Sequence, residues 1–231
     1  MSVRSFLSRL TPTPDEPTPD HSALYRVVSQ LLMYPTPDLF DHLDVLEQVA
    51  DTAGAAQDLV PLMTHLRERG LTDAQTYHVA EFDHSRRHAL HLTFWLDGDT
   101  RRRGESLVRF KQVYRDSGLW VDLHGELPDF LPMVLEFAAH DLERGRQLLT
   151  DHRGAVELMR FALMRDDLPH AGAVLAVCRT LPGDLPATRE EAQKLVRRDV
   201  SGMNSGEPPT ELVGLAPAGT ETLPIEPTGR R

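Results

Sequence analysis

The chain has 231 residues, a length that suits one large domain or one domain with loose ends and argues against two full domains. Acidic residues number 35 against 25 basic ones, and the formal charge of -10 has the wrong sign for binding nucleic acid through its phosphates. The one cysteine excludes disulfides within the chain, and no apolar run approaches the roughly 20 residues needed to cross a membrane. Leu occurs 34 times and Ile once, a ratio that favours helices over sheets.

The two ends have compositions typical of unfolded segments. Residues 1–10 contain two arginines and lack the apolar core of a secretory signal, which predicts a cytoplasmic protein. Residues 11–20 contain four prolines, and residues 201–231 contain five prolines and five glycines with few large apolar side chains. We therefore expect a disordered lead-in over 1–20, a folded unit over 21–200 and a disordered tail over 201–231.

Apolar residues within 21–200 recur every three or four positions, which is the spacing of helices that bury one face. The predicted helices lie around residues 24–32, 37–50, 59–70, 72–96, 99–118, 128–138, 142–151, 155–166, 170–180 and 188–199. Their predicted N-cap residues include Thr36, Thr72 and Asp99. No segment alternates like a strand, so the prediction is an all-α fold, a single domain of about eight to ten helices.

Three histidines are spaced like ligands on the helix predicted over 72–96. His84, His88 and His91 would share one face, opposite the apolar arc, and such a face suits a transition metal. A helical metal-binding protein is therefore one alternative. The pattern is not HExxH and no second ligand set is recognisable, so solvated histidines are the simpler interpretation and no metal or other cofactor is expected.

Motifs for catalysis are missing from the sequence. There is no GxSxG elbow and no glycine-rich phosphate loop, and Cys178 lies in an apolar stretch without a nearby histidine. We expect no enzyme activity. Arg103 and Lys111 flank the apolar stripe of the helix predicted over 99–118, where they could pair with carboxylates of a neighbouring helix.

The helix predicted over 128–138 has two apolar faces. Its core stripe consists of Leu131, Val134, Leu135 and Ala138. The opposite arc combines three large apolar side chains with two carboxylates: Phe130, Met133, Phe137, Asp129 and Glu136. Either another helix covers this second face, or the face forms a groove for an amphipathic helix with basic margins, whose capture the acidic rim would speed.

Several short motifs, in order, resemble the delta-type assembly chaperones of respiratory nitrate reductase, the NarJ family. They are Phe82-Asp83, Leu90-His91-Leu92-Thr93, the segment 98–104, Arg109-Phe110-Lys111, Tyr114-Arg115, the segment 126–132 (ELPDFLP) and Leu135-Glu136-Phe137. The resemblance covers about residues 22–180. In the related TorD and DmsD chaperones of other molybdenum reductases a histidine follows the Pro-Asp pair, and Phe130 at that place favours the nitrate reductase branch. A chaperone for a dimethyl sulfoxide or trimethylamine oxide reductase is the alternative.

The resemblance implies a TorD-like fold and a dedicated chaperone. Family members bind the N-terminal segment of the catalytic alpha subunit, keep the immature alpha-beta complex off its membrane anchor, and support molybdenum-cofactor insertion. A direct carrier of the cofactor is a further alternative, although the sequence contains no recognisable pterin or phosphate cradle.

The resemblance also implies roles for residues of this chain. Peptide contact or groove shaping is expected of Glu126, Asp129, Phe130, Met133, Glu136 and Phe137. Phe82, Phe110 and Tyr114 are expected to form the groove wall. Arg103, Arg109 and Lys111 are expected to order the acidic loop by ion pairing. Asp129 has two possible roles, since it could contact the client or cap its own helix.

Overall fold

The computed structural model describes residues 21–98, 100–123 and 125–203, and this part of the chain contains eleven α-helices and no strand. The helices are α1 (Ser22–Leu32), α2 (Pro37–Asp41), α3 (Leu43–Thr52), α4 (Ala56–His78), α5 (Leu92–Asp97), α6 (Arg101–Asp116), α7 (Leu131–His140), α8 (Leu142–Asp151), α9 (Arg153–Arg165), α10 (Ala171–Thr180) and α11 (Arg189–Met203). A π-helical turn, Val79–Asp83, and a 3-10 turn, Arg86–His88, separate α4 from α5. The all-α prediction is confirmed, and the structure has one helix more than the upper predicted number.

Helix α1 lies at the centre of the domain, where it packs most extensively on α7 and also contacts α10 and α3. Its apolar stripe is buried, as the spacing predicts. Two polar contacts fix its position: the Tyr25 hydroxyl lies 2.8 Å from Thr180 Oγ1, and Ser29 Oγ donates to the Pro132 carbonyl at 2.8 Å. The second contact holds α1 against the start of α7, which places the end of α1 beside the outer face of α7.

The helix predicted over 37–50 begins as expected. Thr36 Oγ1 accepts a hydrogen bond from the Leu39 amide at 3.3 Å, and Pro37 occupies the first helical position. The helix then divides at His42 into α2 and α3. The predicted end at Gly70 corresponds to a break inside α4, where Gly70 has φ of 71°.

The prediction of one long helix over 72–96 is wrong. The α-helix ends at His78, and the chain passes through the two short turns to reach α5. Two tertiary hydrogen bonds satisfy backbone groups in place of helical ones. The Leu92 amide donates to the Asp129 carbonyl (3.0 Å), and the Leu131 amide donates to the Leu90 carbonyl (2.8 Å). These bonds tie residues 90–92 to the start of α7 and form an isolated antiparallel bridge between His91 and Phe130.

The predicted disordered ends lie almost wholly outside the described residues. Helix α11 continues to Met203, three residues into the segment predicted as a tail, and Asp99 also lies outside the described part. None of the described helices combines the length and the apolar character that spanning a membrane would require.

Candidate functional site

Two clefts flank the outer face of α7, and Met33 lines both. The first, which we call the α1–α7 cleft, has a volume of about 510 Å³ and lies between the end of α1, the outer face of α7 and residues 119–122. The second, which we call the Phe82 cleft, has a volume of about 380 Å³ and lies between the π-helical turn, residues 90–91 and residues 126–130. The outer face of α7 is therefore accessible from the α1–α7 cleft, and its N-cap residue Phe130 is accessible from the Phe82 cleft.

The structure divides the predicted site residues between these clefts and the core. Met133, Glu136 and Phe137 line the α1–α7 cleft. Phe82, Glu126 and Phe130 line the Phe82 cleft. Asp129, Phe110 and Tyr114 are buried and line neither of the two. Phe137 is only 4% exposed, so of the three large apolar residues predicted on the second face only Phe130, the N-cap residue of α7, and Met133 are half-buried and accessible.

Asp129 connects the start of α7 to the start of α5. Its carboxylate accepts hydrogen bonds from the Thr93 amide (2.9 Å) and the Thr93 hydroxyl (2.5 Å), and it lies 3.3 Å from His91 Nδ1. Burial by itself would raise the pKa of Asp129, but the hydrogen bonds from His91 and Thr93 outweigh it and hold the pKa below its usual value. Because the carboxylate has no exposed surface, Asp129 supports the cleft wall from within the core and does not contact a ligand. Its bond to the Thr93 amide caps the first turn of α5, and it does not cap its own helix.

Tyr114 and Phe110 form the layer behind the clefts. The Tyr114 hydroxyl donates to the Pro128 carbonyl at 2.6 Å, and its ring meets Phe137 with the ring centres 4.8 Å apart. Burial, and then the nearby charge of Asp129, raises the pKa of Tyr114. Both rings therefore support the wall from inside the core and are not available as its surface.

The three basic residues expected to form ion pairs differ in their surroundings. Arg103 Nε donates to Thr93 Oγ1 at 3.2 Å, so Arg103 contacts the same threonine that Asp129 holds. Arg109 and Lys111 are exposed on α6, and neither forms an ion pair with any residue in the described part of the chain. The observed contact supports an ordering role for Arg103, and no such contact supports one for Arg109 or Lys111.

Glu136 lies on the acidic margin of the α1–α7 cleft. Its Oε1 atom lies 3.2 Å from His140 Nε2 and 3.9 Å from Arg26 Nε. Its Oε2 atom is buried and has no hydrogen-bond partner among the described residues. The side chain as a whole is 34% exposed, so its charge faces the cleft even though this oxygen does not.

The three histidines that suggested a metal site do not share a helix face, and that prediction is wrong. His88 is buried between Glu81 (3.1 Å) and Asp166 (2.8 Å), His91 contacts Asp129, and His84 is exposed. The helix on which they were placed ends before His84, so their spacing along the chain no longer sets their arrangement. No group of three or more metal-ligand side chains is found among the residues that the structure covers.

Trp120 is the site residue that the sequence did not reveal. It is 94% exposed at the edge of the α1–α7 cleft, next to Leu119, which is 43% exposed. Both follow Gly118, in a segment without helical spacing. The only sequence signal was an apolar triplet, Leu119-Trp120-Val121, in a predicted connection.

Residues 48–176 match the family model described as the nitrate reductase delta subunit. The chain belongs to the nitrate reductase delta subunit family. This membership confirms the resemblance seen in the sequence motifs, and the matched region contains both clefts except for the parts contributed by α1 and Tyr34.

Several relatives with recorded names share this region. The chain is 40% identical over 164 residues to the nitrate reductase-like protein NarX of Mycobacterium tuberculosis, which covers 70% of this chain and 24% of NarX, so the chain spans about a quarter of that relative. It is 26% identical over 158 residues to the probable nitrate reductase molybdenum cofactor assembly chaperone NarJ of Bacillus subtilis (67% of this chain, 85% of that protein). It is 31% identical over 118 residues to the Escherichia coli chaperone NarJ (49% and 50%).

A solved structure shows the same fold. A putative redox enzyme maturation protein from Archaeoglobus fulgidus superposes with a TM-score of 0.53 at 19% identity, covering 74% of this chain and 96% of that one. The helical arrangement described above is therefore shared with that protein.

Proposed function

We propose that this chain is a non-catalytic assembly chaperone of a nitrate reductase, acting in the cytoplasm. It binds the N-terminal segment of the alpha subunit in the immature alpha-beta complex while the molybdenum cofactor is inserted. The observation that carries the proposal is family membership, together with a match that extends over 85% of the Bacillus subtilis assembly chaperone.

The α1–α7 cleft supports this mode of binding. Its lining combines apolar side chains (Met33, Leu119, Trp120, Met133) with the carboxylates of Asp122 and Glu136, and it contains no lysine or arginine. Such a surface suits an amphipathic helix whose apolar side chains enter the cleft and whose basic residues meet the acidic margin. A client segment that is unfolded when free must be ordered on binding, so a few buried apolar anchors have to supply most of the affinity.

Calorimetry with a synthetic N-terminal peptide of the alpha subunit encoded beside this gene tests the proposal. We expect binding with a negative heat-capacity change, because apolar surface is buried. Trp120→Ala should weaken binding by about tenfold or more, because the large exposed indole at the edge of the cleft becomes buried against the peptide. The matched control is Val108→Ala, which removes an exposed apolar side chain from α6, outside both clefts, and should leave the affinity unchanged.

The same measurement tests the choice of client. A peptide from the N-terminus of a dimethyl sulfoxide reductase should bind more weakly than the nitrate reductase peptide. Equal affinities would contradict specificity for nitrate reductase, and failure of both peptides to bind would contradict the peptide-binding mode.

A further inference from the structure

The first ten residues of the chain, MSVRSFLSRL, have the pattern of the helix that the α1–α7 cleft suits. Val3, Phe6, Leu7 and Leu10 are spaced i, i+3, i+4 and i+7, which places them within about 100° on one side of a helix. Arg4 and Arg9 lie about 60° beyond the two edges of that stripe. The remaining positions of the far side are three serines and Met1, and the segment contains no acidic residue.

The α1–α7 cleft combines apolar surface with negative charge, which matches the apolar stripe and the two arginines of this segment. Met133 and the exposed Trp120 present apolar surface, and Asp122 and Glu136 provide negative charge. The Oε2 atom of Glu136 is a buried acceptor without a partner in the described part of the chain, although Arg26 and His140 contact the other oxygen. The Glu136 side chain as a whole is 34% exposed, so a turn of its carboxylate would place this oxygen on a guanidinium brought by a docked segment.

Residues 11–20 are long enough to bring the segment to the cleft. Ten residues with four prolines, in the extended conformation that proline favours, reach roughly 31 Å. From Ser22, where α1 begins, to Met33, which lines the cleft, eleven residues of helix span roughly 17 Å. The segment can therefore return along α1 and lie in the cleft of its own molecule.

We propose that residues 1–10, predicted from composition to be disordered on their own, become helical by docking in the α1–α7 cleft of the same molecule, with Phe6 and Leu7 against Trp120 and Met133 and an arginine on Glu136. Tethering gives the segment an effective concentration in the millimolar range, so a contact too weak to hold a separate peptide still forms within one molecule. The segment occupies the surface proposed for the client, which must displace it. This inference goes beyond the proposed function, since it concerns a contact within the chain itself.

Quenching of Trp120 fluorescence by acrylamide tests the proposal on the full chain. The protein contains two tryptophans, and the Trp120→Phe variant gives the contribution of Trp95 to be subtracted. In the wild type, docking should protect Trp120. The double variant Phe6→Ser, Leu7→Ser should increase the quenching of Trp120 about twofold and shift its emission to longer wavelength, because the indole becomes solvated.

The control makes the same change at the other end of the chain: Leu212→Ser, Leu215→Ser should leave the quenching unchanged. Adding a peptide with the sequence of residues 1–12 to the Phe6→Ser, Leu7→Ser variant should restore protection of Trp120. Arg4→Glu, Arg9→Glu should release the segment as well, and combining these changes with Glu136→Arg should return part of the protection.

Equal quenching of Trp120 in the wild type and in the Phe6→Ser, Leu7→Ser variant would overturn the proposal. Protection that increases with protein concentration would also overturn it, since the segment would then come from a second copy. The measurement uses no client, so its failure and the failure of the proposed chaperone function are separate results.

Discussion

At the scale of single residues, Asp129 shows how a motif residue can support a binding surface without touching a ligand. Its buried carboxylate receives both the amide and the hydroxyl of Thr93, and with His91 these groups fix the turn that leads into α5. Phe130, the next residue, is half-buried and lines the Phe82 cleft. The position of the cleft wall therefore depends on the bond that Asp129 makes behind it.

Asp129→Ala should lower the free energy of unfolding by about 3 kcal/mol, because it leaves a buried amide and a buried hydroxyl without a partner. Urea denaturation at pH 7 measures this change. The control is Glu126→Ala, which removes an exposed carboxylate three residues away and should cost less than about 0.5 kcal/mol. Equal effects of the two changes would contradict the role given to Asp129.

A second variant, Asp129→Asn, tests the pH dependence of this contribution, which has a definite sign. The pKa of Asp129 is lowered in the folded state, so its stabilising contribution is present above the unfolded-state pKa and is lost as the pH falls through the folded-state value. The difference in stability between the wild type and Asp129→Asn should therefore shrink in acid. A difference that stays constant from pH 7 to pH 3 would contradict the assignment.

The helical wheel of α7 placed some of these residues on the face where they are found and could not show the surroundings of others. It placed Met133 and Glu136 on the face away from the core stripe, and both line a cleft. It could not show that Asp129 is buried, because Thr93 lies 36 positions away in the sequence. A periodic pattern shows which residues share a face, but it does not show which part of the chain covers that face.

At the scale of elements, two glycines allow helices to approach closely. A methyl group at Gly172 in α10 would overlap the Asp58 carbonyl oxygen in the first turn of α4, and one at Gly145 in α8 would overlap the backbone of Ala138 in α7. By contrast, a methyl group at Gly104 in α6 would meet nothing within 4 Å. Replacement by alanine should therefore destabilise the fold at Gly172 and Gly145 and stabilise it at Gly104.

Gly172→Ala should lower the free energy of unfolding by about 2 kcal/mol or more, because backbone carbonyls cannot move aside as flexible side chains can. Gly104→Ala should raise it by about 0.5–1 kcal/mol, since alanine loses less conformational entropy in a helix. Thermal and urea unfolding of the two variants measure both changes. A loss of stability at Gly104, or none at Gly172, would contradict the packing described for α4 and α10.

Helix boundaries were predictable where the sequence contains local stop signals. Pro37 marks the start of α2, and Gly70 marks a break in backbone direction. The end of α4 was not predictable, because no glycine or proline occurs between Gly70 and Gly98. The chain leaves the helix there for tertiary reasons: residues 90–92 bond to the start of α7, and His88 inserts between Glu81 and Asp166.

At the scale of the whole molecule, a cluster of buried histidines and aromatic rings joins α4, the π-helical turn and α10. The His170 ring lies 4.8 Å from Phe82 and stacks on Tyr77 at 6.0 Å between ring centres, and His65 lies 6.4 Å away. Nδ1 of His170 and Nδ1 of His78 are buried without hydrogen-bond partners in the described part of the chain. Protonating such rings inside the core is costly.

Burial, and then the neighbouring histidines His78, His65 and His88, lowers the pKa of His170 to about 3. An unfolded chain would bind a proton at this residue below about pH 6.5, and the folded chain would not, so acid favours unfolding throughout the interval between the two values. His170 alone should reduce the free energy of unfolding by about 1.4 kcal/mol for each pH unit below 6.5.

His170→Phe removes this proton site and keeps an aromatic ring beside Phe82 and Tyr77. Between pH 7 and pH 4.5 the variant should therefore lose about 2–3 kcal/mol less stability than the wild type, as measured by urea denaturation at a series of pH values. His84→Phe is the matched control, because His84 is exposed and its replacement should leave the slope unchanged. If the free energy of unfolding fell equally with pH in the wild type and in His170→Phe, the cluster would not be what makes the fold sensitive to acid. A reduced slope would mean that the buried, uncharged His170 makes the fold less stable in mild acid.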